Sequence, residues 1–145
     1  MSEETIVRQA APTLAGIKTG NTAAMADLVL EGMKSAGADA ELIECNSVTD
    51  LSAYDAIAFG CPAMGSEQLE DSEFEPMFDS VKKSLGGKRV GLFGSYGWGD
   101  GEWMRNWEDD CRACGINLAA ESVLVNNAPE GEGADACKAL GAALV

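Results

Sequence analysis

Tyr54-Asp55-Ala56-Ile57-Ala58-Phe59-Gly60 is a short apolar run closed by a glycine and followed by Cys61-Pro62. A run of this length without polar alternation marks a strand covered on both faces, and such strands belong to parallel sheets. Its surroundings agree. Upstream, Thr19 to Ala36 sets Met25, Leu28, Val29 and Met33 at helical spacing and stops before Gly37, a good helix cap; Glu41 to Cys45 reads as a strand. Downstream, Glu73 to Leu85 carries Phe74, Met77, Phe78, Val81 and Leu85 on one helical stripe until Gly86-Gly87 ends it. Strand Arg89 to Phe93, helix Glu102 to Ala113, strand Ser122 to Val125 and helix Asp135 to Leu144 complete the alternation. Strands and helices in turn, with short loops, predict a parallel sheet between two helical layers, joined by right-handed crossovers. Ligands of such α/β sheets bind beyond the carboxyl ends of the strands.

The 145 residues suffice for one domain with a real core. Twenty-four acidic against ten basic residues give a net charge of -14, which repels nucleic acid and anionic membranes and favours a basic partner surface. There is no histidine, so catalytic triads and histidine metal sites are excluded. No stretch approaches the ~18 apolar residues of a membrane span, and the acidic start from Met1 to Thr5 leads into no signal-like segment, so a soluble, cytoplasmic protein is expected. The five cysteines are odd in number and scattered, as reduced thiols are. Cys111 and Cys114 form a C-x-x-C, but it closes a helical pattern without a strand before it or a second pair, and reads as structural.

Two loops carry the unusual composition. The first is Cys61-Pro62-Ala63-Met64-Gly65-Ser66-Glu67, with Glu70 and Asp71 ahead of the next helix; the second is Gly94-Ser95-Tyr96-Gly97-Trp98-Gly99-Asp100-Gly101. Alternate glycines keep the second backbone unhindered while presenting large aromatics, so a flat ligand can stack on Trp98. Singly, Trp98 is as well read as a half-exposed core aromatic, Met64 as a core filler and the acids as a solvated helix start. Trp103, Trp107 and Phe93 read as core or surface aromatics, and Met25 and Met33 as helix core.

Jointly, the two loops closely resemble those of the short-chain flavodoxins of the clostridial and rumen type, and the likeness runs from Thr19 to the C-terminus. The resemblance implies a flavodoxin-like three-layer fold with strand order 2-1-3-4-5, an order taken from the family and not read from these residues. It implies one FMN, a one-electron carrier of low potential rather than an enzyme, a monomer, and redox partners with basic docking surfaces. Trp98 and Met64 would cover the two faces of the flavin ring, flanked by Ala63 and Ser66. The Met64-Gly65 peptide would face flavin N5, Glu67 would accept from N3, and Gly97 with neighbouring amides at Tyr96 and Gly99 would meet the pyrimidine edge. Ser95 and the stretch Thr19-Gly20-Asn21-Thr22, opening a helix, would hold the phosphate.

The N-terminus departs from the family. Ile17 stands where the family has Ser or Thr, and Lys18 holds the variable position, where it can pair with the phosphate. Residues 1–18 resemble instead the start of another small bacterial family, as a fusion would. They are expected to replace the usual first strand with an atypical segment, leaving 19–145 as the flavodoxin-like domain and the strand degenerate, with residues 13–17 as a poor substitute. The alternative function is therefore a flavodoxin-like remnant or fusion product that binds FMN weakly or not at all. A phosphorylation module on the same fold is the weaker third reading, for want of an acidic cluster after the first strand.

Overall fold

A computed structural model describes residues 3–8, 17–44, 51, 54–61, 74–96, 101–126 and 129–145. In chain order the elements are β1 (Glu3–Arg8), α1 (Ile17–Ser35), β2 (Asp39–Glu44), β3 (Ala56–Gly60), α2 (Phe74–Val81) with a 3-10 turn at Lys82–Ser84, β4 (Arg89–Tyr96), α3 (Glu102–Ala113), β5 (Asn117–Leu118), β6 (Val123–Asn126) and α4 (Glu132–Ala143). The sheet is parallel in the order β2-β1-β3-β4-β5, with β6 also on β4. The expected 2-1-3-4-5 order holds, with the fifth position shared. β5 lies along Arg89 and Val90, and β6 along Phe93 to Tyr96.

The loss of the middle strand expected from the sequence is corrected by β1. Glu3–Arg8 pairs with Asp39–Glu44 on one side and, from Glu4, with Ala56–Gly60 on the other, so it lies in the centre of the sheet. The strand is degenerate only in composition: Thr5-Ile6-Val7 supplies three β-branched residues between charged ends. Of the substitute stretch, residues 13–16 lie outside the described residues, and Ile17 is the first residue of α1.

Strand alternation divides the core in two. Ile57, Phe59, Val90 and Leu92 pack with Phe78, Leu85, Trp103, Met104 and Trp107 under α2 and α3. Ala56, Ala58, Phe93 and Val125 pack with Met25, Val29, Met33, Cys137, Leu140 and Leu144 under α1 and α4. Phe78 meets Phe59 edge-on at 5.2 Å and Trp107 at 5.7 Å, the arrangement aromatic quadrupoles favour. On the other face the helices touch backbone to backbone. A Cβ on Gly32 would lie 2.1 Å from the Lys138 carbonyl oxygen, and one on Gly141 2.1 Å from that of Val29.

Helix ends follow from local chemistry. Gly37, at φ 98°, closes α1 with its amide on the Lys34 carbonyl, while the Ala38 amide reaches Met33. Gly115, at φ 75°, does the same for α3, with Ile116 donating to the Cys111 carbonyl at 3.0 Å. Both are Schellman closures, which require a left-handed residue. Lys82 joins the turn after α2 to α3, at 3.0 Å from Asp79 and 3.1 Å from Asp110. Those two hydrogen bonds, Asp79 first, hold its charge above the usual lysine range.

Candidate functional site

Because every described strand is parallel, β1, β3, β4 and β6 all point their carboxyl ends to one edge; Arg8 and Gly60 stand level with Phe93, and β4 and β6 run on three residues further, to Tyr96 and Asn126. The crossovers return each helix antiparallel, so α1 begins at this edge. Its first turns hold Lys18, Thr19, Gly20, Asn21 and Thr22, and no acidic residue stands in the first turn to compete with an anion. The leading amides of a helix have no partner within it and carry the positive end of its dipole, so this end suits a phosphate.

The exits of β3 and β4 are fastened to each other. The Cys61 amide donates to the Phe93 carbonyl at 3.1 Å. Trp103 Nε1 donates to the Cys61 carbonyl oxygen at 3.3 Å, from a fully buried ring. Gly94 lies so close beneath that a Cβ would fall 2.2 Å from the same oxygen. Tyr96 stacks at a tilt on Trp103, centroids 5.6 Å apart, and its carbonyl accepts from Asn126 Nδ2 at 3.4 Å. One indole therefore positions the starts of both loops. Sequence reasoning left Trp103 among the unassigned aromatics, and only its place early in the helix after the second loop hinted at more.

Gly94, Ser95 and Tyr96, read from the sequence as loop, instead extend β4, in register with Leu124, Val125 and Asn126. Strand pairing with β6 overrides the weak strand preference of glycine. Ser95 is fully buried and shares the α1 and α4 face of the sheet with Phe93 and Val125. Tyr96 is half-buried on the opposite face. Ala63, Met64, Gly65, Ser66, Glu67, Gly97, Trp98 and Gly99 lie outside the described residues.

Competing chemistry is absent from the described part. No group of His, Cys, Asp and Glu there is arranged to hold a metal. Burial pushes the Cys111 thiol up to about 12, with Asp110, Cys114 and Glu108 adding to it, and burial alone pushes Cys137 up to about 11. Both stay protonated at neutral pH, the opposite of a reactive cysteine. The C-x-x-C is the closing turn of α3.

The chain order reverses between β1 and β3: from β1 the chain moves out to β2, then crosses back to β3. A helix N-terminus beside that switch point defines a doubly wound α/β protein, the class in which phosphorylated, nucleotide-like ligands bind at such a place. The flavodoxin family pattern matches residues 16–141. Flavodoxin of Megasphaera elsdenii is 49% identical over 130 residues, covering 86% of this chain and 90% of the relative. Flavodoxin of Clostridium beijerinckii is 42% identical over 114 residues, covering 77% and 83%. The solution structure of two-electron reduced Megasphaera elsdenii flavodoxin superposes with a TM-score of 0.83 over 97% of each chain, at 42% identity. The chain belongs to the flavodoxin family, and its function is that of an FMN-binding electron carrier. The residues at this edge fit FMN: a helix start without carboxylates, a buried hydroxyl on the same sheet face, and two loop starts locked side by side.

Proposed function

We propose that the FMN phosphate rests on the first turns of α1, against Lys18, Thr19, Gly20, Asn21 and Thr22, with Ser95 below. The flavin ring then lies between Met64 and Trp98, bordered by Ala63, Ser66, Gly97 and Gly99, with Tyr96 at the start of the second loop. Glu67 accepts a hydrogen bond from the ring imide, and the Met64-Gly65 peptide lies next to N5, where a glycine eases a change of peptide orientation. When bound, FMN supplies the one-electron chemistry. The chain binds and orients it, excludes water from its faces and sets the surrounding charge.

The observation that carries this reading is the convergence of the α1 start with the exits of β3 and β4, pinned by Trp103 on the Cys61 carbonyl. A net charge of -14 disfavours adding negative charge to the flavin, which supports a low potential. The same charge steers basic redox proteins toward a small, short-lived interface. The chain is then a carrier and not an enzyme, since it turns over no substrate of its own. It works as a cytoplasmic monomer; among the described residues no helix is long and apolar enough to cross a membrane.

Titrating FMN with the purified protein and following flavin fluorescence tests the reading. Strong quenching with sub-micromolar affinity, below roughly -8 kcal/mol, is expected. A folded sample that leaves the fluorescence unchanged would refute it.

A further inference from the structure

We infer that the open edge of the sheet at β6, centred on Leu124, is where a basic electron-transfer protein docks. The inference rests on the electron-carrier reading above and adds the place where the partner meets the chain. Val123 and Val125 pack into the core under α1 and α4, so strand alternation turns Leu124 to the α3 face. Among the described residues, Leu124 and Val145 are the large apolar side chains left exposed, Leu124 by 39%. β6 pairs with β4 alone among the described strands, so its other edge is open. Two hollows meet there and share Ala120, Glu121, Ser122 and Leu124. One, about 460 Å³, runs on to Ala136, Ala139 and Ala143 of α4; the other, about 650 Å³, runs on to Glu108 and Arg112 of α3. The small alanines leave room for a partner's side chains beside the exposed leucine.

The surrounding charge selects the partner. From Gly101 to Ala136 the chain carries eight carboxylates and two arginines. Arg112 is paired with Asp109 at 3.5 Å on its own helix, and Glu108 is held at the rim by the Ser122 hydroxyl, which donates to it at 2.7 Å. A second copy of this chain would bring the same acids to the same edge, and their repulsion opposes it. A protein with an apolar centre ringed by lysines is complementary, in the apolar-core and polar-rim arrangement of protein interfaces. The place also suits electron transfer. A Cβ on Gly101 would lie 2.8 Å from Leu124 Cδ2, so Leu124 reaches the N-cap of α3, where the second loop ends. Asn126, two residues on, donates to the Tyr96 carbonyl where that loop begins. A partner seated on Leu124 therefore borders the ligand edge of the sheet.

The probe is a basic c-type cytochrome. Its affinity for the FMN-loaded protein is read by calorimetry at low salt with both proteins oxidised. Its rate is read from haem absorbance after the flavin is reduced, when one electron leaves the flavin and ferric haem becomes ferrous. Leu124→Ser should weaken binding about three- to tenfold, as loss of an apolar anchor does, and slow haem reduction by the same factor. Glu121→Gln should weaken binding about two- to threefold at low salt and have little effect at high salt. Asp27→Asn, the same charge change at an exposed site on α1, should shift affinity less than about 1.5-fold. Reduction of p-benzoquinone, a small neutral oxidant, should be the same for all. Unchanged cytochrome affinity in Leu124→Ser would overturn the inference, as would equal losses for Glu121→Gln and Asp27→Asn, which would leave net charge as the whole attraction. A dimer in sedimentation that Leu124→Ser dissociates would overturn it too, by giving this face to a second copy. Failure of the wild type to load FMN would remove the electron-carrier reading and the partner's class with it; normal loading with any of the other contrary results removes this surface alone.

Discussion

The Cys61 carbonyl oxygen receives the Trp103 indole N–H from 42 positions along the chain and sits over Gly94, so a single acceptor joins the two loops of the site. Trp103→Phe removes the donor, leaves a buried carbonyl short of a partner and opens a small void. It is expected to cost about 1–3 kcal/mol in urea unfolding and to weaken FMN binding about tenfold. Unchanged FMN affinity in a destabilised variant would show that the anchoring at Cys61 does not extend to Met64. Nothing local to Trp103 announces the role, because its partner is remote in sequence. Met64 and Trp98, by contrast, are proposed as a pair from their loops and the family likeness, and both lie outside the described residues. Ser95 was legible as a candidate but misread as loop, since its strand character depends on pairing with Val125.

At the scale of elements, the packing of α1 on α4 depends on where a glycine lies. Gly133 and Gly141 both belong to α4, and glycine to alanine favours an isolated helix by up to about 1 kcal/mol. A Cβ at position 141 would strike the Val29 carbonyl at 2.1 Å and the Met33 amide nitrogen at 2.9 Å, both backbone. At position 133 its nearest atoms all belong to the Val125 side chain, the first at 3.2 Å. Gly141→Ala should therefore lose about 1–3 kcal/mol of stability by forcing the helices apart, and Gly133→Ala should be neutral or slightly stabilising. Calorimetric melting of the two variants side by side reads the difference; equal shifts would contradict the close approach. Element reading from sequence succeeded where composition is emphatic, as with the all-buried β3 and the bounds of α3. It failed for β1, where three β-branched residues sit between charges and the phosphate-turn motif drew attention to the residues just before it. It also missed β5, whose two residues are too few to carry a periodic signal.

Across the whole molecule, the two cores each hold a buried thiol, Cys111 under α3 and Cys137 under α4. Their folded pKa values, about 12 and about 11, stand above the ordinary value of 9.0, so between those limits the unfolded chain releases protons that the folded chain keeps. Stability from this source is complete below pH 9 and declines as pH rises toward the folded values. Lys82 adds to the decline above its ordinary 10.5, since its carboxylate partners hold the proton only in the folded state. Urea midpoints should fall from about pH 9 upward, and Cys137→Ala should flatten part of that slope; a midpoint constant to about pH 11 would refute the linkage. The position of β1 has a kinetic consequence. It leaves the ribosome before both of its neighbours, and its ladders join Glu3 to Asp39 and Glu4 to Ala56, so those neighbours are synthesised much later. Closing such distant pairs is slow, and until Gly60 emerges the strand that joins the two halves of the sheet has only one edge to pair with. The nascent chain should therefore depend on chaperone shielding longer than a protein of this size whose central strand is made in mid-chain.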